Sequence, residues 1–103
     1  MKSPFPEDNL GNATREEIMS ALFSHLVVQH ANMALMLLGK IPHPETNEVV
    51  MDLEGAKSFI DQLEMLEFKT KGNLTLEETA LLHKSLNAAR MAFVDAIDSA
   101  ADQ

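Results

Sequence analysis

From Ile18 to Leu38 the chain is apolar at almost every position, and Gly39 closes the run. Wound as a helix at about 100° per residue, Leu22, Leu26, Met33 and Leu37 share one face. Phe23, Val27, Ala34 and Leu38 make the next, and Val28, Ala31 and Leu35 make a third. One polar stripe interrupts them: His25, Gln29 and Asn32, at i, i+4 and i+7. A helix apolar all round is expected to be buried all round. The rest of the chain is too small to cover it alone, so the pattern predicts that copies of the chain complete the cover.

The ends of this helix are marked. Thr14-Arg15-Glu16-Glu17 is a capping box, in which the Thr hydroxyl accepts from the Glu17 amide while the Glu17 carboxylate reaches back. That starts the helix at Arg15. Gly39 supplies the left-handed residue that ends it, and Pro42 and Pro44 keep it from resuming. Residues 1–13 hold two prolines, Gly11 and several polar residues and are expected to form a flexible N-terminal tail. Residues 14–103 then make a single helical domain.

The connection from Ile41 to Met51 contains Pro44 and Asn47, which predict a tight turn with Asn47 at positive φ. Val49-Val50-Met51 is β-prone but too short to stand as a strand without a partner. Asp52 caps a second helix over Leu53 to Thr70, and Gly72 ends it. Its apolar positions, Ala56, Phe59, Leu63, Leu66 and Thr70, alternate three and four apart, with Ile60 beside them. A second capping box, Thr75-Leu-Glu-Glu78, opens a third helix to about Ala100. Its seam is Thr79, Leu82, Leu86, Ala89, Phe93, Ala96 and Ala100.

Two matched seams joined by a short turn predict an antiparallel helical hairpin packed like a coiled coil. The third helix has a further face of small residues in Ser85, Ala88, Ala92, Ala96 and Ser99, and the first offers Ser20, Ser24 and Ala31. Small side chains let helices approach closely. The first helix is therefore expected to lie across the hairpin, its own or a neighbour's. The fold class is all-α: a three-helix protomer assembled into a homo-oligomeric bundle.

Several strings in this frame resemble a small bacterial family. They are Gly39-Lys-Ile41-Pro42-His-Pro44-Glu45-Thr46, Asp52-Leu53, Ile60-Asp61-Gln-Leu63-Glu-Met65-Leu66, and above all Lys69-Thr70-Lys71-Gly72-Asn73-Leu74-Thr75. The family is catalogued as a domain of unknown function (number eighteen forty-four), and the likeness runs from Phe23 to Val94. It implies a bacterial source and a largely helical domain. It brings no activity, cofactor or catalytic residue.

Composition narrows the function classes. The formal net charge is −8, from 16 acids against 8 bases, and no basic cluster offsets it. A nucleic-acid backbone or an anionic membrane surface would repel such a chain. With no cysteine, disulfides and thiolate metal sites are out, which suits a cytoplasmic protein. The N-terminus lacks the apolar stretch of a signal peptide. The long apolar run, broken by His25, Gln29, His30 and Asn32, falls short of a membrane span.

Candidate chemistry is sparse. His25 and His30 are five residues apart, about 140° round a helix, and do not chelate one ion within a chain. No Glu-x-x-His pair, phosphate loop or nucleophile elbow occurs. No catalytic residue, metal or cofactor is expected. His30 reads as a core histidine bonded to a carbonyl or a partner side chain. Arg90, beside the seam, is expected to pair with Asp52, Glu54 or another subunit's acid, and His83 with Glu64 or Glu67. Met65 and Phe68 lie on the charged side of the second helix.

The His25-Gln29-Asn32 stripe either meets its symmetry mates and fixes the oligomer or lines a ligand site. The expected function is therefore a non-enzymatic homo-oligomeric structural or protein-interaction module whose partner is itself or another protein. The rival is a small-molecule-binding protein or small enzyme with a pocket near His25, Gln29 and Arg90.

Overall fold

A computed structural model describes residues 13–101. The tail expected over 1–13 lies outside them except for Ala13. Three helices follow in order: α1 (Arg15–Leu37), α2 (Leu53–Lys69) and α3 (Leu76–Ala101). Among the described residues there is no strand. Each predicted helix is present, with ends within a residue or so of those read from the capping signals.

Those signals act as their chemistry requires. The Thr14 hydroxyl accepts from the Glu17 amide at 3.1 Å, and the Thr14 amide donates to the Glu17 carboxylate at 3.2 Å. Thr75 and Glu78 repeat the exchange at 2.8 and 3.1 Å. At the other end of α1, Gly39 sits at φ 76°, and the Lys40 amide reaches back to the Leu35 carbonyl at 2.9 Å. With the Gly39 amide on the Met36 carbonyl, this is a Schellman ending. Asp52 accepts from the Gly55 amide at 3.0 Å and so caps α2.

The connection folds back on the helix it leaves. Asn47 has φ 57°, its amide donates to the His43 carbonyl, and the His43 amide donates to the Glu48 carbonyl. The chain then returns past the end of α1, where Leu38 and Met51 form an isolated antiparallel bridge. The Asp52 amide donates to the Leu37 carbonyl at 2.7 Å. Among the described residues the β-prone Val49-Val50-Met51 stretch thus finds one backbone partner, Leu38.

All three helices share one core. Val27, Ala31 and Ala34 of α1 meet Ile60 and Leu63 of α2 and Leu82, Leu86 and Ala89 of α3. A second cluster joins Leu38, Ala56, Ala92 and Ala96 at the far end. Leu63, Leu82, Leu86 and Val27 are the largest fully buried side chains, each contributing about 1.5–3 kcal/mol by leaving water. The expected seam positions of α2 and α3 are buried or half-buried apart from Ala100, which is exposed. The small residues of α3 divide: Ser85, Ala92 and Ala96 are buried, while Ala88 and Ser99 face solvent.

One expectation is corrected within the protomer. The first helix is not buried all round. Val27 is 0% exposed, but its neighbour Val28 is 40% exposed, and Leu22 is 41% exposed. Two helices placed on one side of α1 leave its other side uncovered, however apolar that side is.

Candidate functional site

Of the residues singled out from the sequence, His30 faces inward. Its Nδ1 donates to the Leu26 carbonyl at 3.0 Å, and its Nε2 meets the Gln62 side-chain amide at 2.9 Å. Phe59 packs edge-on against the ring, with centroids 5.5 Å apart. The carbonyl bond expected of His30 is present, on a half-buried ring that ties α1 to α2. His25, Gln29 and Asn32 are all exposed on the opposite side of the helix.

Arg90 pairs with Glu64, not with Asp52 or Glu54. Its Nε and Nη2 donate to one Glu64 carboxylate oxygen at 3.1 and 2.7 Å. The reason is packing order: α2 brings Glu64 alongside the middle of α3, while Asp52 is held at the helix start by the Gly55 amide. His83 meets Glu67 at 3.0 Å, one of the two partners expected. Both pairs are substantially exposed, so each contributes little to stability.

The Lys-Thr-Lys-Gly-Asn-Leu-Thr turn forms one wall of an open cavity of about 420 Å³. Glu67, Phe68, Lys71, Thr79, Leu82 and His83 are among its lining residues. None of His25, Gln29 and Arg90 lines it. Thr70 is fixed beside it by donating its hydroxyl proton to the Leu66 carbonyl at 2.6 Å, and Gly72 turns the chain at φ 84°. The Lys71, Glu67 and His83 side chains give the cavity mixed charge, with the last two paired to each other.

Two ionisable groups are shifted by neighbours. The Thr75 amide, and after it the Ser20 side chain, hold the Glu78 carboxyl below its ordinary range. Glu78, only 9% exposed, thereby links the start of α3 to α1. Asp61, one turn along α2, hydrogen-bonds the Lys57 ammonium and raises its pKa. Neither group lies in the cavity. Among the described residues no group of three or more His, Asp or Glu side chains is placed to hold a metal ion. No buried side-chain polar atom among them lacks a partner.

The most distinctive surface is the outer side of α1. Met19, Leu22 and Leu26 are 38–49% exposed there, and Val28, 40% exposed, lies across the His25-Gln29-Asn32 stripe from them. Apolar side chains are exposed elsewhere too: Met65 and Phe68 on α2, and Met91, Val94 and Ile97 on α3. Those are interleaved with Glu64, Glu67, Lys69, Arg90, Asp95 and Asp98. On α1 no Asp, Glu, Lys or Arg occurs between Glu17 and Lys40. Sequence reasoning saw the apolar run but not which side the hairpin would take. Apolar spacing alone could not mark it, because Val27, Ala31 and Ala34 are spaced three and four apart just as Met19, Leu22 and Leu26 are.

Among the described residues no helix is long and apolar enough to cross a membrane. No curated protein and no solved structure matches the chain. A family model does match, over residues 20–95. That span takes in α1 almost entire, the returning connection, α2, the Lys-Thr-Lys-Gly-Asn-Leu-Thr turn and α3 as far as Asp95. The chain belongs to the family described as Domain of unknown function (DUF1844).

Proposed function

We propose that this chain is a non-enzymatic homo-oligomeric structural or protein-interaction module of the bacterial cytoplasm. In this reading α2 and α3 form an antiparallel hairpin, and α1 is the element through which copies meet. The pairing order supports the hairpin: Glu64 with Arg90 and Glu67 with His83, the later α2 residue meeting the earlier α3 residue. The observation that carries the oligomer is the outer side of α1, with Met19, Leu22 and Leu26 exposed on a stretch without formal charge. Contiguous apolar surface of that kind marks interaction sites.

Size-exclusion chromatography with light scattering tests the reading. A stable oligomer at micromolar concentration is the expected result, and a monomer across that range would overturn it. The small-molecule alternative gains support from the cavity beside Lys71 rather than from the His25 stripe, because Arg90 is already held by Glu64. Ligand screening by thermal shift, with Lys71→Ala as the control, separates it. Stabilisation that Lys71→Ala abolishes would favour a binding protein.

A further inference from the structure

We infer that two copies join through α1 in antiparallel order, about a two-fold axis between Leu26 and Gln29; this rests on the homo-oligomeric reading above. Met19, Leu22, Leu26, Gln29, Met33 and Met36 recur three and four residues apart, the spacing of a two-helix seam. The first four are exposed and the two methionines that follow are half-buried. The protomer's own core takes the opposite side of the helix, through Val27, Ala31 and Ala34. Reversing the second helix lays Leu26 against Gln29 of the partner subunit. It also lays Leu22 against Met33 of the partner subunit, and Met19 against Met36 of the partner subunit.

Charge selects the direction. Only the ends of the helix carry it: Arg15, Glu16 and Glu17 at the start, Lys40 just past the finish. A parallel pair would set these acids against their own copies and Lys40 against its own copy. The antiparallel pair sets Lys40 against the first turn of the partner subunit, where Arg15 is outnumbered by Glu16 and Glu17, so that opposite net charges meet at both ends of the seam and the two helix dipoles oppose favourably. Among the described residues Lys40 is paired with Asp95 at 3.9 Å, with both side chains largely exposed. That contact is too loose to hold it back.

The polar stripe fits the same arrangement. His25 and Asn32 flank the seam on one side, and reversal brings His25 within a turn of Asn32 of the partner subunit, twice by symmetry. Gln29 lies between seam and flank, so its amide turns toward that polar edge. A parallel pair would join Gln29 to itself, but would still stack the acids at one end.

The chain has no cysteine, so introduced thiols report geometry cleanly. Leu22→Cys and Met33→Cys chains are unfolded together, refolded together and oxidised, and each is also oxidised alone. A disulfide needs Cα atoms within about 7 Å. In the antiparallel register two copies of position 22 stand about 16 Å apart along the seam. The mixed 22–33 disulfide is expected to dominate, with little crosslinking of either chain alone. Circular dichroism checks that both variants keep their helices.

Leu26→Glu, introduced into both cysteine variants, should abolish the mixed crosslink while leaving helicity intact. Efficient crosslinking of each variant alone would mean a parallel pair, overturning the inference and leaving the oligomer reading in place. No crosslink in a chain that light scattering finds oligomeric would place the interface elsewhere and overturn it too. A monomeric wild type would overturn both readings. If deleting residues 1–12 then produced an oligomer, the occupant of the seam would be the chain's own N-terminal segment.

Discussion

Two apolar rows of α1 meet opposite fates, and the outward one borders the polar His25-Gln29-Asn32 stripe. Val27, Ala31, Ala34 and Leu38 are buried against the other helices, whereas Met19, Leu22 and Leu26 face outward. The closest contacts on the buried side are made by two alanines, Ala31 and Ala34, with Phe23, Leu35 and Leu37 packed at the margins. The outward side carries the longer side chains. Small residues allow α2 and α3 to approach α1 closely and fill the space at high density. Larger side chains at Ala31 and Ala34 would have held the helices apart. Apolar character decides that a surface gains by leaving water, but side-chain size and spacing decide which partner it fits.

The sharpest way to break this comparison is a pair of adjacent substitutions. Val27→Asp buries an unpaired carboxylate where exposure is 0%, and should cost about 4 kcal/mol or more, leaving much of the protein unfolded. Val28→Asp should leave the protomer's fold intact, because position 28 is open to water. Denaturant titration monitored by circular dichroism measures both. Similar losses at the two sites would mean that α1 has been rotated about its axis. Leu86→Ala comes next, with an expected loss of about 2–5 kcal/mol for a fully buried leucine; a loss below about 1 kcal/mol would remove Leu86 from the core.

The capping boxes give a smaller contrast of the same kind. Thr75→Ala removes a cap whose partner, Glu78, is packed toward α1, and should cost about 1–2 kcal/mol. Thr14→Ala removes one whose residues are all exposed, and should cost about 0.5–1 kcal/mol. Thermal melting ranks the two, and a reversed order would deny Glu78 its bridging role.

Acid supplies another check. A carboxyl held below its ordinary value contributes stability that is fully present above the unfolded pKa and is lost as pH falls through the folded one. Between about pH 6 and about pH 3 wild type should lose more stability than Glu78→Gln, which keeps a capping side chain without the charge. Equal acid sensitivity would mean that the charge on Glu78 contributes nothing.

The smallest effect on the protomer, and the most telling for assembly, is expected from Gln29→Leu. The side chain is exposed, so the fold should be unchanged. An added apolar residue in the seam should tighten association or mix its stoichiometry, because polar seam residues restrict oligomer choice. Analytical ultracentrifugation reads this. An unchanged sedimentation profile with unchanged melting would take Gln29 out of the interface.

Much of this was determined by the chain itself. The three helices and their ends follow from local chemistry: two Thr–Glu capping boxes, the Asp52 cap, and Gly39 and Gly72 at positive φ. Such signals act within four residues and need no tertiary context. The seams of α2 and α3 followed from their spacing. Three matters were decided only in the tertiary structure. Glu64 rather than Asp52 meets Arg90, because the relative register of two helices depends on the whole packed interface. The β-prone stretch found its one partner in Leu38, which local sequence could not name. And the choice of inner side on α1 went to Val27, Ala31 and Ala34, since a helix apolar all round carries no periodic signal, and only the shapes of its neighbours can break the tie.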